Sequence, residues 1–311
     1  MGLQREAAMK ILMTGSTGFV GTALCQELQR AGHTVCRLVR PGTVVVKTRG
    51  ASGFDVNWNP ATGELGGAAV GADAVVNLAG ASIADARWTA QRKRLLLASR
   101  VDTTRTLVQV LSRMAARPRV LISASGIGYY GSCGDQVLTE ESPLGHDFLS
   151  RLGQEWEAEA AKAEALGIRV VRARFGIILA KHGGALSRMG RPFLWGAGGK
   201  IGSGEQWMSW VTLQDVVAIL RFVLENGAVR GPMNVVSPQP VRNAEFTKVL
   251  AKTLHRPALF PAPAFALRLL LGEMANELLL ASQRAIPAQL EKLGYRFLYA
   301  DLREVLAALL A

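Results

Sequence analysis

The feature that most constrains this chain is a glycine turn near its start. An apolar run at residues 9–13 (MKILM) leads into Thr14-Gly15-Ser16-Thr17-Gly18-Phe19-Val20-Gly21, and a helical pattern follows to about residue 31. Strand, glycine turn and helix together bring backbone N–H groups and a helix N-terminus against a pyrophosphate. In Gly15-x-x-Gly18-x-x-Gly21 the first glycine makes the tight turn, the second lets the backbone approach the phosphates, and the third lets helix and strand pack closely. The same glycines without flanking elements would be an ordinary turn, so the context carries the weight. A dinucleotide site on Gly15, Thr17, Gly18, Phe19, Val20 and Gly21 is therefore expected.

The pattern then repeats. Residues 33–40 read as a second strand, 74–78 (AVVNL) and 120–123 as buried strands, 169–174 (RVVRAR) as a later one and 233–236 as the last, with helical stretches between them. Residues 148–166 and 212–225 read as helices, the latter with Thr212 as its cap. Strands alternating with helices predict an α/β doubly wound parallel sheet with right-handed crossovers. The glycine-rich stretch 176–204 predicts loops that shape a substrate pocket. From Asn243 onward short amphipathic patterns predict a small, mainly helical C-terminal lobe. The expected division is a Rossmann domain at 9–237 and a C-terminal domain at 240–307, with the active cleft between them.

Composition excludes several classes. With 311 residues, 49% of them hydrophobic, the chain can bury a large core. Cys25, Cys36 and Cys133 are too few and too scattered for a disulfide framework, and His33, His146, His182 and His255 are equally dispersed, so no metal site is expected. No uninterrupted apolar stretch is long enough to span a membrane; residues 260–281 contain Arg268, Glu273 and Glu277 and read as amphipathic helix packed on protein. Residues 1–10 lack the apolar run of a signal peptide, which makes the cytoplasm the expected compartment. The net charge of +12 is densest at Arg87, Arg92, Lys93, Arg94, Arg100 and Arg105, with few interleaved aromatics, and reads as a solvated helix face. The expected partner is a small-molecule substrate, with no nucleic acid and no membrane, for a monomer or homodimer.

The end of the second strand selects the dinucleotide. An acidic residue there would hold a ribose hydroxyl, but the chain has Val39-Arg40, which suits a 2′-phosphate and points to NADP(H). Arg37 lies nearby, on the same strand face as Val39.

Three motifs together carry a resemblance: Gly15 to Gly21, Asn77-Leu78-Ala79-Gly80, and Ser123-Ala124-Ser125-Gly126-Ile127-Gly128-Tyr129-Tyr130-Gly131. They resemble those of an atypical extended short-chain dehydrogenase/reductase, within the NAD(P)-dependent epimerase-like family that ends in its own small C-terminal domain. Further matching residues are Ser99-Arg100, Asp147-Phe148-Leu149, Trp156-Glu157, Gly202-Ser203-Gly204-x-Gln206-Trp207-x-Ser209-Trp210 and Gly272-Glu273-Met274. The resemblance implies NADP(H) held by the glycine loop, by Val39 and Arg40, by Leu78, Ala79 and Gly80, by Arg100, and by Ile178 after the sixth strand.

The catalytic half departs from that family. Its enzymes use a serine or threonine to bond the substrate oxygen, a tyrosine as acid/base, and a lysine four residues later that lowers the tyrosine pKa. Near residues 148–152 this chain has neither tyrosine nor lysine. Arg151 is adjacent to the expected lysine position, but one residue turns a helical side chain by about 100 degrees. Ser125 is the first candidate for substrate contact and Ser123 the second. Tyr130 or Tyr129 is a candidate proton donor, with a pKa near 10 in the absence of a neighbouring cation. Trp207 and Trp210 either wall the pocket or pack in the core, and Arg174 either meets an anionic substrate or ends a strand. The expected function is an NADP(H)-dependent oxidoreductase or epimerase acting on a small polar substrate; the alternative is a catalytically impaired NADP(H)-binding regulatory or interaction protein.

Overall fold

A computed structural model describes residues 8–40, 42 and 53–310. Seven parallel strands form the main sheet: β1 (Lys10–Thr14), β2 (Thr34–Val39), β3 (Gly53–Asn57), β4 (Ala74–Asn77), β5 (Val120–Gly126), β6 (Arg169–Phe175) and β7 (Gly231–Val235). Their order is β7-β6-β5-β4-β1-β2-β3, every neighbouring pair being parallel. The order reverses between β1 and β4, and at such a switch point a crevice opens beyond the carboxyl ends of the strands.

The helices are α1 (Phe19–Arg30), α2 (Ala90–Leu97), α3 (Thr103–Arg113), α4 (Phe148–Ala161), α5 (Gly184–Leu194), α6 (Leu213–Glu225), α7 (Asn243–Leu254), α8 (Ala264–Leu271), α9 (Ala288–Lys292) and α10 (Leu302–Leu310). Alternate strand residues feed two cores, as a sheet covered on both faces requires. Ile11, Met13 and Ile122 pack with Leu24 and Leu28 of α1 and Leu220 of α6. Leu12 and Leu121 point to the opposite face and meet Leu107 and Leu111 of α3 and Ala160 of α4. Thr212 caps α6, its hydroxyl accepting from Asp215 N at 2.9 Å. The expected doubly wound parallel sheet is therefore present.

One strand is unexpected and one sequence expectation is revised. The strand β3, with sequence GFDVN, had no apolar run to mark it: as an edge strand it buries only Val56. The stretch 260–281 does not pack on protein throughout, because α8 buries none of its residues. Burial begins only after it, at Met274, Ala275 and Glu277.

The C-terminal lobe shares its core with the loop-rich stretch. Phe246 and Leu250 of α7 and Leu306 of α10 pack against Leu179, Phe193 and Trp210. Short parallel pairings of Ile177–Leu179 with Trp210–Thr212, and of Arg284–Ala285 with Val137–Leu138, stitch this half to the rest. Among the described residues no helix is long and apolar enough to cross a membrane, and no cluster of His, Cys, Asp and Glu could hold a metal ion.

Leu121 lies at the centre of the sheet with no solvent exposure. Leu121→Ala is expected to lower stability by about 2–5 kcal/mol, read as a lower denaturant midpoint with an unchanged m-value.

Candidate cofactor site and active cleft

Polar side chains join the strand ends at the switch point. Thr14 Oγ1 donates to Asn77 Oδ1 at 2.7 Å, and Asn77 Nδ2 donates to Thr104 Oγ1 at 2.8 Å and to Ser123 Oγ at 3.2 Å. Trp156 Nε1 of α4 also donates to Thr104 Oγ1, at 3.0 Å. β1, β4, β5, α3 and α4 are thereby locked around one buried asparagine. Ala79 N donates to Thr14 Oγ1 at 3.3 Å and so holds the loop after β4 against the glycine turn.

In that turn Gly15 adopts φ +65°, and a Cβ on it would fall 2.4 Å from Leu78 O. A Cβ on Gly21 would fall 2.1 Å from Gly15 O. Both positions therefore exclude any side chain. Gly18 caps α1 without a side-chain hydrogen bond, so the first N–H groups of the helix are not claimed by a cap. Ser16 is buried and its Oγ has no partner. The Phe19 ring lies against Gly183 and Gly184 at the start of α5, which brings α5 and Ile178 over the glycine loop.

Arg100 lies in a π-helical turn, Ala98–Asp102, between α2 and α3. It is 7% exposed, packs over the Trp156 ring and donates to Ala81 O at 2.8 Å, while its Nε has no hydrogen-bond partner. No carboxylate pairs with it among the described residues. Burial, aided by Arg92, pushes its pKa down to about 10, so the guanidinium remains charged at neutral pH. A buried cation with an unused donor, its guanidinium against Gly80, fits a phosphate-bearing ligand. On β2, Arg37 is engaged by Asp55 at 2.7 Å. Arg40, past the buried Val39, is exposed.

The catalytic candidates fall into a buried network. Glu157 of α4 meets Arg174 of β6 through two contacts, Oε1 to Nε at 2.7 Å and Oε2 to Nη2 at 2.8 Å. Ser125 donates to Glu157 Oε1 at 2.7 Å. Tyr130 accepts from Arg174 Nη1 at 2.9 Å and donates to Asn234 Oδ1 at 2.7 Å. Arg174 thus neither meets solvent nor merely ends a strand; it holds three elements together. Burial works against its charge, but Glu157 more than compensates and its pKa rises.

The expectation for Tyr130 is corrected. A cation does lie beside it, yet the residue is 1% exposed and burial outweighs Arg174, pushing the phenol up to about 12. A hydroxyl so held, with its proton given to Asn234, is not poised to donate to a substrate. Tyr129 stacks on the Arg174 guanidinium at 3.6 Å. Trp210 is fully buried and donates to Gln239 O, so it belongs to the core. Trp207 lies between the Arg242 and Arg284 guanidinium groups and donates to Asp135.

Helix α4 carries neither tyrosine nor lysine. Arg151 is exposed and donates to His146 O at 3.1 Å. Gly153 lies flush against Tyr129, where an added Cβ would make ordinary contact at 3.5 Å. The N-terminus of α4 is instead held by Glu277 of the C-terminal lobe, whose carboxylate accepts from Leu149 N at 2.8 Å and Phe148 N at 3.3 Å. Glu277 also hydrogen-bonds Glu273, which pairs with Lys93. Burial pushes the Glu277 pKa up to about 7 against the opposing pull of the Leu149 N–H.

A Rossmann sheet with a glycine cradle at its switch point is the architecture of a dinucleotide-binding protein of the short-chain dehydrogenase/reductase class. The NAD dependent epimerase/dehydratase family matches residues 11–236, and a domain of unknown function, DUF1731, matches residues 262–309. The chain belongs to the NAD dependent epimerase/dehydratase family. It is 40% identical over 304 residues to the epimerase family protein YfhF of Bacillus subtilis, covering 97% of this chain and 98% of that one. To the chloroplastic epimerase family protein SDR39U1 homolog of Arabidopsis thaliana it is 37% identical over 309 residues, covering 99% and 88%. The crystal structure of human epimerase family protein SDR39U1 with NADPH superposes with a TM-score of 0.84 at 32% identity, covering 97% of this chain and 99% of that one.

Two variants test this geometry. Arg174→Met strands the Glu157 carboxylate in the interior and is expected to cost about 3–5 kcal/mol in denaturant unfolding. For Glu277 the folded pKa of about 7 lies above the ordinary 4.5, so its contribution to stability is complete below pH 4.5 and is lost as pH rises through about 7. Glu273 shifts downward and acts only at lower pH. Between pH 4.5 and 8, thermal melts of the native chain should therefore decline relative to Glu277→Gln.

Proposed function

We propose that this chain is an NADP(H)-dependent oxidoreductase or epimerase acting on a small polar substrate. The observation that carries this reading is the buried Arg100, with no carboxylate partner among the described residues and an unused Nε, its guanidinium against Gly80. The cofactor, when bound, supplies two-electron redox chemistry. Gly15, Thr17, Gly18, Phe19, Val20 and Gly21 would hold its pyrophosphate side, with Ser16 Oγ adding a donor. Leu78, Ala79, Gly80, Arg100 and Ile178 would line the crevice farther in. Val39 and Arg40 would receive the adenosine ribose, and Arg40 selects its 2′-phosphate because Arg37 is engaged by Asp55. The NADPH in the human relative's structure supports the same choice. Ser125 remains the candidate substrate contact. Its proton goes to Glu157, so its oxygen meets a substrate as acceptor and favours a substrate hydroxyl over a carbonyl.

A second reading, an NADP(H)-binding regulatory or interaction protein, draws support from the composition of α4. Without a tyrosine and lysine pair, the usual proton donor of these enzymes is missing.

Titration of cofactor-free protein with NADPH and NADH tests the cofactor assignment. A charge-assisted contact of about 1.5–3 kcal/mol predicts an NADPH preference of roughly 10- to 100-fold that Arg40→Ala abolishes. A panel of alcohols and sugar nucleotides with NADP+, and of carbonyl compounds with NADPH, then separates the two readings: turnover lost in Ser125→Ala with cofactor binding intact supports the enzyme, and cofactor binding without turnover across both panels supports the regulatory protein.

A further inference from the structure

Two neighbouring segments expose large apolar side chains. Leu194 and Trp195 end α5, and Phe260, Phe265, Leu269 and Leu270 precede and line α8, with exposures from 56% for Leu194 to 82% for Trp195. The segments run side by side: Phe260 N donates to Gly198 O at 3.1 Å, Ala262 N to Lys200 O at 2.9 Å, and Gly202 N to Ala262 O at 2.9 Å. The two segments that carry the exposed apolar groups are therefore adjacent, an arrangement of a kind that marks an interaction site.

The charge around this face has one sign. Residues 183–204 and 246–272 contain no aspartate or glutamate. Arg191, Lys200, Arg256 and Arg268 are exposed within them, and none has a carboxylate partner among the described residues. Arg268 donates only to the neutral Asn276 Oδ1. A second copy is disfavoured as the occupant, because a two-fold contact would set these cations against themselves on chains of net charge +12. An anionic surface with an apolar layer beneath it satisfies both properties at once.

We propose that this face docks the protein on an anionic phospholipid surface. Trp195, Phe265 and Leu269 enter the boundary between headgroups and acyl chains, and Arg191, Lys200, Arg256 and Arg268 meet the phosphates. The expectation of no membrane partner weighed the lack of a spanning segment and the basic stretch from Arg87 to Arg105, which reads as a solvated helix face, and not this face. The inference is independent of the cofactor reading.

The test is sedimentation of the full chain with vesicles of phosphatidylcholine alone, or mixed with phosphatidylglycerol, at low and high salt. Binding is expected to the mixed vesicles only and to weaken with salt. Phe265→Glu with Leu269→Glu, and separately Arg191→Glu with Arg268→Glu, should each weaken binding by roughly tenfold or more. Brominated lipid should quench tryptophan emission, and Trp195→Phe should remove that quenching; this single exposed change serves as the test if a double variant fails to fold. Absence of binding, equal binding by the folded variants, or quenching that survives Trp195→Phe would each overturn the proposal. So would a native dimer that Phe265→Glu with Leu269→Glu converts to monomer, which would assign the face to a second copy.

Discussion

The buried side chain of Asn77 sets the geometry on which the rest of the cleft depends. β1 and β4 are parallel neighbours paired up to Thr14 and Asn77, their connections leave in opposite directions, and beyond that pair the backbone ladder no longer holds their ends together. Asn77 uses its carbonyl oxygen for Thr14 and its two N–H groups for Thr104 and Ser123, so every donor it has is spent inside the protein. A buried polar group satisfied in this way specifies one arrangement, because each alternative leaves a donor unpaired at a cost of about 1–3 kcal/mol. The glycine turn inherits that precision: Gly15 approaches Leu78 so closely that even a methyl group is excluded. A shift of either strand end would open the cradle.

The same economy appears deeper in the cleft, with a different outcome. Glu157 and Arg174 are both nearly inaccessible, and a buried pair is worth keeping only if further hydrogen bonds satisfy its remaining atoms. Ser125 and Tyr130 supply them, and Asn234 passes the chain on to Ile286 O. Two of the candidates for chemistry, Ser125 and Tyr130, are therefore also the ones that complete an ion pair. For Tyr130 that role consumes the hydroxyl altogether. For Ser125 it consumes the proton and leaves lone pairs.

What could be read from the residues divides along a physical line. The glycine turn and the strands β1, β2, β4, β5, β6 and β7 were legible because backbone conformation and two-sided burial dictate residue type locally. The place of Arg40 just past β2 was legible, because the apolar residues of that strand mark its end. The Glu157–Arg174 pair was not, since a contact between a helix and a strand leaves no periodic trace in either. Trp210 illustrates the same limit: an indole in a loop-rich stretch reads as pocket wall or core with equal ease, and only Gln239 O, 2.9 Å from its nitrogen, decides. For α8 the apolar pattern was visible, but a pattern identifies a face without saying what covers it.

The two lobes meet where the missing catalytic pair would have stood. Glu277 reaches from the C-terminal lobe to the first N–H groups of α4, and Glu273 beside it pairs with Lys93 at α2. Arg188 of α5 pairs with Asp85 in the loop after β4, so the rim of the cleft is tied on a second side. The lobe therefore grips the helix that in related enzymes presents the proton donor. A carboxyl group with a pKa near 7 at that position exists in either protonation state at physiological pH; ionisation strengthens its bonds to the two N–H groups but carries the cost of a buried charge, which is the larger effect. In this chain the N-terminus of α4 is a point of attachment between lobes, and whatever proton chemistry the cleft performs has to be arranged around a helix whose first turn is already occupied.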